Sequence, residues 1–191
     1  MILRAILTFL KIACLLIVAF LALMQVPELI YDFGSRTPVE IDGPADLTRG
    51  KVSGTVFVSV RGTPDFENAF VYRRYGLDHR YFTVDPYGMS LVVRTYDEIT
   101  DEWRQINRFV GRLRPFDDQP FSGYIAAIYL ERFGVKVPED AWFLALDDVP
   151  MLSGWQIGGL LLAAVIWMIM FWLFFLGGGK RLSPSNSFPR L

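Results

Sequence analysis

Cysteine and histidine are almost missing from this sequence: Cys14 and His79 are the only examples of each in 191 residues. A lone cysteine excludes an intrachain disulfide, and one cysteine with one histidine does not make a zinc site of nitrogen and sulfur ligands. Cys14 lies inside a long apolar run, which also removes a Cys–His nucleophile pair. Ser–His catalysis would require His79 to find a serine and an orienting carboxylate, and nothing in the spacing points there. Beside Asp78 and Arg80 in a polar turn, His79 reads as a surface or hairpin residue. The carboxylates Asp97, Glu98, Asp101 and Glu102, and the pair Asp117 and Asp118, lack calcium-loop spacing and read as solvated turn residues. No catalytic residue, metal ligand or cofactor is therefore expected.

Acidic residues are absent from both ends of the chain. All twenty lie between Glu28 and Asp148, while the ends carry only Arg4, Lys11, Lys180, Arg181 and Arg190. An acidic middle between basic tails is the pattern left when Lys and Arg stay on the cytoplasmic side of a membrane. Both termini are expected inside, with the middle on the non-cytoplasmic side. An acidic central region is a poor partner for nucleic acid.

Apolar residues make up 52% of the sequence, and two long runs account for much of that excess. Trp155 to Leu176 contains no charge; as a helix rising about 1.5 Å per residue it reaches about 33 Å, enough for a hydrocarbon layer of about 30 Å. Ala5 to Val26 is similar but includes Lys11, whose long stem allows the ammonium to reach the interface. A basic start before Ile12 to Met24 also fits a cleaved signal peptide, yet no small-x-small site follows, so an uncleaved anchor is expected. The organisation read from the sequence is a first transmembrane helix with a short cytoplasmic start (1–26), an extended linker (27–50), a β-rich domain (51–152), a second transmembrane helix (153–177) and a cytoplasmic tail (178–191).

Within the middle region, period-two alternation over Lys51 to Arg61 puts Val52, Val56, Val58 and Val60 on one face and Lys51, Ser53, Thr55 and Ser59 on the other. Phe70 to Tyr75 is a second strand candidate. His79 to Val84 and Met89 to Tyr96, joined by Asp85-Pro86-Tyr87-Gly88, predict a hairpin. Trp103 to Leu113 alternates again, with its first half open to a helical reading. The period then changes: Ile125, Ile128, Tyr129 and Phe133 form a helical stripe over Ser122 to Phe133, with Ser122 as N-cap and Gly134 as terminator. Ala141 to Leu146 predicts a short, buried last strand. The fold class expected is a membrane protein with two transmembrane α-helices flanking a small α+β domain, a twisted sheet or partly closed barrel with one helix.

Two sets of residues are candidate contacts. Gly154, Gly158, Gly159 and Ala163 follow the small-xxx-small pattern that lets membrane helices pack closely. Arg73, Arg74, Arg104, Arg108, Arg112 and Arg114 are candidates for an anionic partner or lipid if strand alternation gathers them on one face; salt bridges to the domain's own acids are the competing reading.

The sequence Val110-Gly111-Arg112-Leu113-Arg114, the helix Gly123 to Phe133, Pro138 and Trp142-Phe143-Leu144-Ala145-Leu146-Asp147 resemble the late strand, helix and closing strand of the surfeit-locus family of cytochrome oxidase assembly proteins. Lys51 to Phe57 resembles an early strand of that family, and Tyr81 to Arg94 occupies the place of its central hairpin. Three family signatures differ: Trp-Gln after the first span is Met24-Gln25, the Asn-Arg-Gly-Trp-Val-Pro run is reduced to Val93-Arg94-Thr95-Tyr96, and Asn-x-His-Leu before the second span has no counterpart. Because that histidine is the family's haem-linked residue, the resemblance implies the scaffold and not haem binding. It implies an assembly factor for, or an accessory subunit of, a respiratory membrane complex, with integral membrane subunits and lipids as partners. The location implied is the bacterial inner membrane with a periplasmic domain, or else the mitochondrial inner membrane. A membrane-anchored enzyme with an unrecognised site is the alternative of another class.

Overall fold

The computed structural model describes residues 2–48, 52, 54–151 and 154–176. The chain forms two compact units, Met1–Ile30 with Leu152–Leu191, and Tyr31–Met151. In the first, α1 (Ile2–Leu23) and α5 (Gly154–Phe171) are predominantly apolar, and α5 ends in a π-helical turn at Trp172–Leu176. Both helical segments are long and apolar enough to cross a membrane, and almost none of their surface is buried. They run antiparallel: the Lys11 ammonium donates to the Phe174 carbonyl at 3.2 Å, and the Trp167 indole N–H donates to the Leu15 carbonyl at 3.1 Å. The last carbonyls of a helix have no partner within it and carry the negative end of its dipole. Lys11 supplies one of them with a charged donor.

Residues 27–48, the described part of the expected linker, are not extended throughout. Pro27 lies in the first turn of a short helix α2 (Val26–Asp32), which is followed by β1 (Val39–Ile41) and α3 (Pro44–Thr48). A three-residue strand among glycines and prolines is too short to show periodicity, and its pairing is supplied by the neighbouring strand. β1 pairs in parallel with β2 (Val56–Arg61), aligning Val39, Glu40 and Ile41 with Val58, Ser59 and Val60. This pairing also corrects the alternation in β2. Val58 and Val60 are buried as expected, but Ser59 is buried too, its hydroxyl donating to the Glu40 carboxylate at 3.1 Å. Lys51 and Ser53 lie outside the described residues.

The remaining strands are β3 (Thr63–Arg74), β4 (Leu77–Asp85), β5 (Gly88–Thr95), β6 (Arg108–Pro115) and β7 (Trp142–Ala145). They complete a mixed seven-stranded sheet in the order β1-β2-β6-β7-β5-β4-β3. The hairpin of β4 and β5 forms where the sequence places it, and the Asp85–Pro86 peptide in its turn is cis. The first half of Trp103 to Leu113 is a 3-10 turn at Asp101–Gln105, not a strand.

Only Gly62 separates β2 from β3, although these strands lie far apart in the sheet order. A Cβ there would overlap the Asp85 carbonyl oxygen and the Val84 side chain, so the corner accepts glycine alone. The resulting curl lets Phe82 of β4 meet Phe109 of β6 across two intervening strands, with ring centroids 5.9 Å apart. Phe66 and Trp103 close on the same ring at 5.3 and 5.8 Å. This inner core continues through Ile41, Val58, Val60, Val84, Leu91, Val93, Leu113 and Leu144.

On the opposite face, helix α4 (Ser122–Phe133) covers Phe70, Tyr81, Val92, Phe143 and Ala145 with Ile125 and Tyr129. Its range and its left-handed Gly134 terminator match the expected boundaries. The N-cap does not: Phe121 holds that position in a left-handed conformation, and the Ser122 hydroxyl turns back to the Asp117 carbonyl. Strands β5 and β7 and the second half of β4 are thus buried on both faces, which explains the apolar runs Leu91-Val92-Val93 and Trp142–Ala145.

Candidate functional site

Pairing within the sheet disperses most of the six arginines. Arg73 is exposed and donates through Nε to Asp78 at 2.6 Å, holding that carboxyl below the usual range, while Arg104 lies 3.9 Å from Asp101. Arg108 pairs with Glu40 at 3.3 Å. Arg112 differs in being almost fully buried. Its guanidinium donates to Asp148 at 3.1 Å and lies 4.1 Å from the centre of the Tyr31 ring, whose hydroxyl donates to the Asp148 carbonyl at 2.8 Å. Burial, then the charge of Asp148, pushes the Tyr31 phenol upward, so it remains a donor. This cluster clasps the first and last segments of the Tyr31–Met151 unit onto β6.

Asp148→Ala is expected to cost the unit about 2 kcal/mol, because Arg112 would remain buried without that carboxylate. The loss should persist in high salt, since buried pairs are screened little. Urea unfolding of the full chain in detergent, at low and high salt, checks it; a loss that vanishes in salt would make the pair a surface one.

Arg74 and Arg114 take a different course. They meet Arg94, which the sequence reading did not select, at a cavity of about 140 Å³ lined also by Tyr72, His79, Tyr81, Gln119, Pro120 and Phe121. Sheet register explains the convergence. Tyr72 pairs with His79 across β3 and β4, and Tyr81 with Arg94 across β4 and β5, so all four side chains share the face that carries α4. Arg94 and Arg114, from β5 and β6, approach the Phe143 ring of the intervening β7 at 5.5 and 5.6 Å. The Arg74 guanidinium stacks 3.3 Å from the centre of the Phe121 ring. Phe121 immediately precedes α4, so the positive end of that helix adjoins the lining.

The electrostatics of this cavity are one-sided. Among the described residues no carboxylate lines it, and burial, then Arg94 and Arg74, hold the His79 imidazole below its ordinary pKa against the opposing effect of Asp78. Its Nδ1 and the Arg94 Nε are buried without a hydrogen-bond partner, and the Gln119 side chain hydrogen-bonds the Tyr81 hydroxyl. Gln119 is only 4% exposed. His79 therefore belongs to a cavity wall and not to a polar turn. The signal that marks Arg94 in the sequence is a cation directly following Leu91-Val92-Val93, a strand segment too apolar to be a solvent edge. Neither serine nor cysteine lines the cavity, so its chemistry is that of donors and positive charge.

A larger depression of about 500 Å³ lies between Pro44, Leu47, Pro115 and Trp142, with Ser90, Glu139 and Asp140 as its polar lining. Among the described residues no group of three His, Cys, Asp or Glu is placed to hold a metal ion.

Of the small-residue set, Ala163 lines grooves on both sides of the α1/α5 seam and Gly159 lines one. Gly158 and Gly159 are exposed, with nothing within 4 Å of where a Cβ would stand. The glycines are therefore not what brings α1 and α5 together; Leu160, Ala163 and Trp167 face that seam. Gly154 opens α5. Compared with known proteins, the chain matches no family model, no curated protein and no solved structure.

Proposed function

We propose that the chain is a two-pass membrane protein acting by contact, as an assembly factor for, or an accessory subunit of, a respiratory membrane complex. The observation that carries the contact reading is the surface of the helix pair. Grooves of about 400 and 520 Å³ run along the α1/α5 seam, lined almost wholly by Val18, Ala22, Leu160, Ala163 and neighbouring apolar residues. Bilayer helices gain little from apolarity alone, so small residues that admit a neighbouring backbone are the main source of association. The open glycine face next to one groove suits a further helix. The charged tails support cytoplasmic termini and an outer position for residues 31–151, in a bacterial or mitochondrial inner membrane. The surfeit-locus resemblance supports the cytochrome oxidase type of complex.

The test is recovery of co-purifying membrane subunits from a tagged chain in mild detergent, with an absorption spectrum of the product. Leucine at Gly158 and Gly159 is expected to reduce that recovery about tenfold, equivalent to about 1.4 kcal/mol. Open space at both positions means that leucine fits the isolated helix pair, so the tagged chain itself should accumulate normally. Undiminished recovery would remove this helix face from the interface.

A further inference from the structure

We propose that the cavity bounded by β3, β4, β5, β6 and the turn before α4 is a binding site for a phosphate-type anion, as free phosphate or as a phosphomonoester headgroup. The proposal is independent of the assembly role. Three guanidiniums, Arg74, Arg94 and Arg114, arrive from three strands, and the Gln119 amide arrives from the loop above them. Donors converging from four directions suit a tetrahedral group with several oxygens and two charges better than a planar monocarboxylate, which one or two guanidinium forks satisfy.

Buried donors without partners are costly, and native proteins retain few of them. Here the Arg94 Nε is such a donor, and the Gln119 amide shares its wall with His79 Nδ1. An oxyanion would accept from the first two directly, and from the imidazole once protonated. The volume, about 140 Å³, sets the size of the occupant. At about 30 Å³ per water it holds roughly four or five, which suits a phosphate but is well below the ~300 Å³ of a small-molecule pocket.

His79 gives the test a single reporter because the chain has no other histidine. The full chain, labelled at histidine and placed in phosphatidylcholine nanodiscs, would be titrated with inorganic phosphate, phenyl phosphate and acetate while the imidazole resonances are followed. The polar groups around that ring are Tyr72 and Arg74 on β3, Asp78 and Tyr81 on β4, Arg94 on β5, Tyr96 just past its end, Arg114 on β6, and Gln119. Of these, Arg74 and Arg94 hold the imidazole neutral, so a bound dianion must move its titration midpoint upward. Saturable shifts with phosphate or phenyl phosphate, and not with acetate, are expected. Arg94→Gln should weaken them about tenfold, and exposed Arg104→Gln should not. If Arg94→Gln lowers the melting temperature sharply, Arg74→Gln provides the same comparison.

A parallel sample in nanodiscs carrying phosphatidic acid separates the two sources. A His79 shift there without added phosphate assigns the lipid headgroup, and a shift only with soluble phosphate assigns the free anion. No saturable response in either arm, an equal response to acetate, or a response unchanged by both arginine substitutions overturns the site. Recovery of partner subunits would be unaffected by that result, so failure here and failure of the assembly reading remain distinguishable.

Discussion

Replacing Gly111 with valine is expected to unfold the Tyr31–Met151 unit. Gly111 lies on β6 opposite Val58 of β2, and β7 approaches from the other side. A Cβ at this position would overlap the Ala145 carbonyl oxygen and come within 2.8 Å of the Ala145 carbonyl carbon and 2.9 Å of Leu146 Cα. Every one of these is a backbone atom of or next to a central strand, so no side-chain rotation relieves the clash. Overpacking that a core absorbs by repacking costs about 1–3 kcal/mol. Here the β6–β7 ladder has to separate, and a loss of roughly 4 kcal/mol or more is expected.

Gly123→Ala supplies the contrast. Gly123 lies in the first turn of α4 with open space around it, so alanine there should be neutral or stabilise by up to about 1 kcal/mol through helix propensity. Urea unfolding of the full chain, followed by tryptophan fluorescence, compares the two; Trp142 on β7 sits beside the disturbed pairing. A Gly111→Val protein as stable as the parent would mean that β6 and β7 do not pair this closely.

Ile125→Asp is the second substitution with a large expected effect. Ile125 is fully buried on α4 among Phe70, Val92, Phe116 and Phe143, in a cluster whose residues are nearly all apolar. An ionised group cannot remain there, so the side chain either takes up a proton or expels the helix; a cost of roughly 4 kcal/mol or more is expected. Ile128, one residue short of the next turn, packs only at the edge of the same cluster. Ile128→Asp should therefore cost clearly less, since its carboxylate can turn toward water. The two melting temperatures, measured side by side, read the orientation of α4 directly, and equal losses would mean that the helix is rotated from this placement. Acidification should partly rescue Ile125→Asp, because protonation removes the buried charge.

How much of this protein is legible without its structure differs from element to element. The apolar helices, α4, the β4–β5 hairpin and the buried strand β7 each carry their signal in a short window: an uncharged run, a 3.6-residue stripe, a proline–glycine turn, a run of apolar residues. Local patterns of this kind follow from backbone geometry and the removal of apolar surface from water, and the sequence alone determines them. β1 escaped because three residues hold no period, whereas the helical reading left open for the first half of Trp103 to Leu113 is met by the 3-10 turn at Asp101–Gln105. Ser122 reads as a cap by residue type, yet the chain enters α4 through Phe121, where the stacked Arg74 guanidinium covers the ring.

The arginines show what only tertiary structure decides. Residue type and strand alternation make six of them candidates for a shared surface and leave salt bridges to the domain's own acids as the competing reading, and charge seeks the nearest compensating charge in space. Asp78 meets Arg73 across the short turn between β3 and β4, but Glu40 and Asp148 reach Arg108 and Arg112 across strand pairs that no local window contains. Arg94, from the most apolar strand segment, joins Arg74 and Arg114 because β3, β4, β5, β7 and β6 lie side by side in an order that the chain order does not disclose. The sequence determines which segments become helices and strands; register and the curl at Gly62 determine which charges meet, because cross-strand neighbours are set by pairing over long sequence separations.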